Sequence, residues 1–216
     1  MALSNATKLG AAVFIGTAQF GMLMIVSEIL YSKYGTNPLV SVPGYAYSVS
    51  SNYISDLGAT CPTSGACYIP PSALLFNASV ALLGLFMLVG AYYFRRAFKW
   101  LPVNVSIALV GIGALGVGLF PETTGIVHHL FSMITFLFAG ITAIIAYKFQ
   151  RKPMGYISVL LGVITLLAAI TYGLDVYLGL GGGGMERMVV YPVVFWGVAF
   201  GGHMMGQEDK VVQATH

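Results

Sequence analysis

The chain has 216 residues, 57% of them hydrophobic and 8% charged, with a formal net charge of +3. Soluble domains carry about 25% charged residues, so a water-soluble globule is excluded, the bilayer is the solvent, and no nucleic-acid partner is expected. With two cysteines the chain cannot build an iron–sulfur cluster or a four-cysteine zinc site by itself.

Apolar runs long enough to span a bilayer, about 20 residues each, fall at 10–31, 71–94, 102–120, 126–148, 154–178 and 187–206. They predict a single domain: an all-α membrane protein, a six-transmembrane-helix bundle. The first run has no small-residue cleavage site and is read as a retained helix, not a signal peptide. Lys8, Arg95, Arg96, Lys99, Lys148, Arg151, Lys152 and Lys210 share one side, leaving Lys33 and Arg187 opposite. By the positive-inside rule both termini are then cytoplasmic (N-in/C-in), in a multi-pass protein of the plasma membrane. Five of the seven acids, Glu28, Asp56, Glu122, Asp175 and Glu186, fall on the outer side.

The only long connection, 32–70, predicts an outer cap loop over the bundle. Within it Cys61-Pro-Thr-Ser-Gly-Ala-Cys67 allows a tight ring, and outside the cell a Cys61–Cys67 disulfide is expected. The preceding segment Ser51-Asn-Tyr-Ile-Ser-Asp-Leu-Gly58 offers Asp56 as a ligand or proton acceptor, or as the cap of a short surface helix. Between the third and fourth runs, Phe120-Pro-Glu-Thr-Thr-Gly-Ile-Val-His-His-Leu-Phe-Ser132 joins a carboxylate to two imidazoles. Glu122 stands either at the positive end of the fourth helix or in the outer cavity. His128 and His129 diverge by about 100° on a helix. His128 shares a face with Ser132 and is the best candidate for a metal ligand or general base, a hydrogen-bonded core residue being the alternative. A divalent metal is compatible with this set. Haem is not expected, because the other span histidine, His203, lies at the opposite end.

Asp175, between Tyr172 and Tyr177, either pairs with Arg187 or completes a carboxylate–imidazole site. The run Gly181, Gly182, Gly183, Gly184 precedes Met185-Glu186-Arg187. Glycines opening a helix can aim several N–H groups at an anion, and Arg187 adds a fork-shaped donor. The alternative is a flexible hairpin turn. Small residues in the third, fourth and sixth helices (Gly111 to Gly118, Ala139 and Ala143, Gly197 and Gly201) permit close helix packing.

Four separated blocks, 51–58, Gly116-Val-Gly-Leu-Phe-Pro-Glu122, the His128-His129 pair and Gly181-Gly-Gly-Gly-Met-Glu-Arg-Met-Val-Val-Tyr-Pro192, resemble the prokaryotic integral membrane family known as domain of unknown function 998, with its archaeal branch the closer likeness. The resemblance implies a six-helix membrane protein and no activity. Asp56, Glu122, His128, Glu186, Arg187 and Tyr191 fall in the matching blocks. Together with Asp175, the ionisable residues of this set are expected to line one outward-facing cavity. Two function classes follow. One is a metal-assisted or acid–base hydrolase or transferase acting on outer-leaflet lipid. The other is a lipid-binding accessory subunit that meets other membrane subunits. A small transporter ranks third, because the bilayer centre carries only hydroxyls.

Overall fold

The computed structural model describes residues 5–34, 47–60, 69–97 and 100–213. Cys61 and Cys67 lie outside these residues. Among the described residues seven α-helices follow one another: α1 (Asn5–Gly16), α2 (Ala18–Tyr34), α3 (Pro71–Ala97), α4 (Leu101–Leu119), α5 (Ile126–Ile145), α6 (Met154–Gly173) and α7 (Gly181–Gln213). No strand is formed among the described residues. Helices α1 and α2 together make one span, so the described residues hold six segments long and apolar enough to cross a membrane.

The predicted first run is broken at Thr17. Its N–H and hydroxyl both turn back to the Phe14 carbonyl, and the Phe20 N–H closes on the Thr17 carbonyl. The fifth run, expected to reach 178, ends at Gly173, and Asp175 follows in a left-handed turn at φ 57°. The sixth begins earlier than its apolar run, because the glycines Gly181–Gly184 form the first turn of α7 itself.

Each span packs on its neighbours in chain order, and α7 closes back on α1, so the six spans form a ring of alternating direction. In lipid there is no hydrophobic drive between helices, and close backbone approach has to supply the contact. Gly84 of α3 and Gly111 of α4 do this: a Cβ on Gly84 would stand 2.4 Å from the Leu115 nitrogen, and one on Gly111 2.9 Å from the Gly84 carbonyl oxygen. Large apolar side chains such as Met22, Leu74, Ile126 and Leu167 face outward, as a lipid-facing surface requires.

The ring has two dissimilar ends. At the basic end an aromatic cluster of Phe14, Phe94, Trp196 and Phe200 fills the centre, with ring centroids 5.1–5.4 Å apart for Phe14–Phe94, Phe14–Phe200 and Trp196–Phe200. At the other end residues 47–60 lie across the bundle and drive Ile54 and Leu57 into a second core with Phe20, Tyr31, Phe76 and Val80. A 3₁₀ turn, Ser55–Gly58, ends this cap.

Candidate functional site

The cap is positioned from within by a short polar network. The Asn52 side-chain oxygen accepts the Ser48 N–H at 3.0 Å. The Asp56 carboxylate accepts the Tyr53 N–H at 3.0 Å and the Asn52 amide at 2.9 Å. Asp56 thus holds the bend of the cap, the local capping role that Asp commonly takes.

Helix α7 then reads the cap backbone from below. The Gly183 N–H, one of the donors a helix start leaves unsatisfied, donates to the Ser50 carbonyl at 3.0 Å. A Cβ at Gly183 would stand 2.0 Å from the Asn52 oxygen, and one at Gly181 2.2 Å from the Ser50 oxygen. The glycines are therefore needed for contact with the cap, and Ser50 takes the donor that an anion would use. Gly182 receives the Tyr53 ring, and Gly184 lies beside Leu180.

Arg187 is 4% exposed, and both of its terminal nitrogens donate to the protein. Its Nη1 reaches the carbonyls of Val49 (2.9 Å), Asn52 (3.0 Å) and Gly183 (2.9 Å). Its Nη2 pairs with Glu28 Oε1 at 3.0 Å and with the Tyr47 hydroxyl. Burial pushes the Tyr47 phenol above its ordinary range, against the pull of Arg187. The guanidinium fork foreseen for a ligand instead ties cap, α2 and α7 together. Tyr191, one turn further along α7, packs into the core around Phe20 and Phe76.

Glu186 points the other way. It is 5% exposed, accepts the Ile54 N–H, and lines a cavity of about 70 Å³ at the centre of the ring. His128, Ser132, Thr135 and Ser55 line the same cavity, with Phe76 and Val80 among its apolar walls. Directly inward lies a second cavity of about 70 Å³ whose walls are apolar apart from the hydroxyls of Thr17, Thr135 and Thr142 and the Trp196 indole. The two share Leu83, Thr135, Phe136 and Val190.

His128 is 5% exposed, and its Nδ1 lies 2.8 Å from the Phe120 carbonyl. A carbonyl only accepts, so Nδ1 carries the proton and the neutral ring keeps its lone pair on Nε2. The carbonyl is itself held in place, because the Phe120 ring stacks on Phe131 of α5 at 5.5 Å. His129, exposed, bonds the Gly125 carbonyl and takes no part in the cavity.

Glu122 sits in the 3₁₀ turn between α4 and α5. Burial, reinforced by the neighbouring Asp56 and Glu186 carboxylates, pushes it up to about 8, so it carries a proton at neutral pH. The structure thus places His128 and Glu186 in one cavity, with Glu122 and Asp56 near each other and near Glu186 but outside its walls. Arg187 stands behind Glu186 on the clamp side. Asp175 stays apart: it is exposed, and it accepts the Tyr177 hydroxyl at 2.7 Å instead of meeting Arg187. The single cavity expected for all six ionisable residues is therefore divided among a cavity, a clamp and a surface turn. Among the described residues no three His, Cys, Asp or Glu side chains converge as a metal-holding set; His128 and Glu186 are the two ionisable side chains that line the polar cavity.

The sequence reading did not single out Tyr47, Ile54 or the Phe120 carbonyl. Ile54 and Phe120 act through backbone groups and carry no compositional signal. Tyr47 lies in a loop with several tyrosines.

Residues 38–203 match the family model described as "Protein of unknown function (DUF998)". No curated protein and no solved structure matches the chain.

Proposed function

This chain belongs to that family of unknown function; the membership assigns no activity, and from the residues themselves we propose a membrane-embedded acid–base hydrolase or transferase acting on a lipid ester. The observation that carries the reading is the stacking of the two cavities: a polar one holding His128 and Glu186, and an apolar one directly inward. In this reading the capped end faces outward, in the plasma membrane, and the substrate comes from the outer leaflet. Each cavity has room for about two waters or a few methylenes. The polar one suits an ester carbonyl and a water, and the apolar one the first methylenes of an acyl chain.

His128 Nε2 takes a proton from the attacking oxygen, and the same proton passes to the departing alkoxide as the ester C–O bond breaks. Glu186 orients the reacting groups while its other contact, the Ile54 N–H, keeps the cap closed over them and water limited.

The test is turnover of acyl-ester lipids by purified protein in nanodiscs, followed by mass spectrometry. Release of fatty acid is expected, with His128→Ala slower by about 10²-fold or more and lipid still retained. A second reading, a non-catalytic lipid-holding subunit, is favoured by the tightness of the Arg187 clamp on the cap. Retention of lipid without turnover by the wild type would select it. Neither retention nor turnover would defeat both.

A further inference from the structure

We infer that Ser132 is a covalent nucleophile, activated by His128, so that the reaction passes through an acyl-serine. The inference rests on the ester-cleaving reading above and sharpens it.

Ser132 stands four residues after His128 on α5, and both line the polar cavity. At this spacing the two side chains are neighbours on one helix face, with Cβ atoms about 5–6 Å apart. Hydroxyls within apolar helices ordinarily close back on their own backbone, and the neighbouring ones do. Thr135 donates to the Phe131 carbonyl and Thr142 to the Phe138 carbonyl, four residues back in each case. The residue four before Ser132 is His128, and among the described residues the Ser132 hydroxyl forms no hydrogen bond. It is a hydroxyl left available beside an imidazole of fixed tautomer.

The third element of a nucleophile–base–orienter set is also present. A carboxylate commonly orients such an imidazole; here the Phe120 carbonyl does so, 2.8 Å from Nδ1. A neutral orienter stabilises an imidazolium less than a carboxylate does; Glu186, which lines the same cavity, is the carboxyl group available to complete that role.

The steps balance. Ser132 Oγ gives its proton to His128 Nε2 and bonds to the ester carbonyl carbon. The C–O bond to the lipid alcohol breaks, and that oxygen takes the proton from Nε2. A water, or in a transferase a second alcohol, then gives its proton to Nε2 and attacks the acyl carbon. Ser132 leaves and recovers the proton.

The experiment is labelling of the purified full chain in nanodiscs with a lipophilic fluorophosphonate, the modified residue located by peptide mass spectrometry, alongside ester cleavage by the same preparations. Wild type should be labelled at Ser132, Ser132→Ala should lose both label and turnover, and His128→Ala should be labelled about 10²-fold more slowly. Ser132→Cys serves as a second variant, chosen because it keeps the side-chain size. After incubation with lipid ester it should carry the mass of one acyl group. Cleavage that persists in Ser132→Ala, with no label in the wild type, would overturn the nucleophile and leave the acid–base reading intact, with water attacking directly. Absence of both labelling and cleavage in the wild type would defeat the two together.

Discussion

At the basic end of the bundle, the Lys148 ammonium lies 4.3 Å from the Trp100 ring centroid and the Arg96 guanidinium 4.6 Å from that of Tyr92, with both cations exposed. At the capped end His128, Glu186 and Arg187 are each at least nineteen-twentieths buried. The same chain therefore leaves charge in water at one end and brings it inside at the other. Exposed cation–π pairs contribute about 0.5–1 kcal/mol each and ask little of the fold. A buried ionised group costs several kcal/mol unless it is paired, so the capped end needs a prepared partner for every charge. The partners are mostly backbone: the Val49, Asn52 and Gly183 carbonyls for Arg187 and the Ile54 N–H for Glu186, while the Phe120 carbonyl holds the neutral His128 ring. Stability and site are joined at that end and separate at the other.

The sharpest way to break the comparison is to remove the cation. Arg187→Met takes the ion-pair partner from Glu28 and a donor from three carbonyls, and should destabilise the protein by about 3–5 kcal/mol, the usual consequence of breaking a buried pair. Thermal unfolding in detergent, with protease sensitivity of residues 47–60, reads this. Adding Glu28→Gln should recover part of the loss. If Arg187→Met melts with the wild type, the clamp is not what holds the cap.

A smaller effect is expected from sterics alone. Gly183→Ala places a Cβ 2.0 Å from the Asn52 oxygen, a backbone atom that moves only with the cap. Overpacking of this kind costs about 1–3 kcal/mol. Gly202, whose Cβ would meet nothing within 4 Å, is the matched control, and Gly202→Ala should be neutral or slightly stabilising because Ala is the better helix former. Equal melting of the two variants would mean that the cap does not sit on the glycine run.

These two variants also mark where sequence reading stopped. The six spans are legible because a bilayer dictates length and apolarity, and little else in the chain meets both. Depth is legible too: Glu122, His128, Glu186 and Arg187 sit at or near span ends on one side of the bundle, and Asp56 in the long connection on that same side. Direction around the axis was not. Glu186 and Arg187 are adjacent, diverge by about 100°, and so serve a cavity and a clamp respectively. Sequence alone leaves the glycine run as an anion-binding lead into a helix or a flexible hairpin turn, and glycine is a poor helix former, by about 1 kcal/mol per residue relative to Ala. Cap backbone fills the space where side chains would stand, and that tertiary contact outweighs propensity. Asp175 was expected on a helix near Arg187, but α6 stops at Gly173 and the turn carries the carboxylate to the surface.

The finest test concerns Glu122, at the margin between the two regimes, part-buried and carrying no partner on Oε2. Burial first, then the Asp56 and Glu186 carboxylates, raise it from 4.5 to about 8. Between those values the folded protein holds a proton that the unfolded chain has released, so the stability contributed by this group is present at low pH and is lost as pH rises through about 8. Solvent contact at this turn screens the effect, which should therefore be the smallest of the three. Melting temperature in detergent should fall between pH 5 and pH 8.5 for the wild type. Glu122→Gln, neutral throughout and close in shape, should flatten that slope while leaving Asp56 and Glu186 in place. A slope unchanged in Glu122→Gln would show that Glu122 is ionised at neutral pH, and that water reaches the capped end as freely as it reaches the basic one.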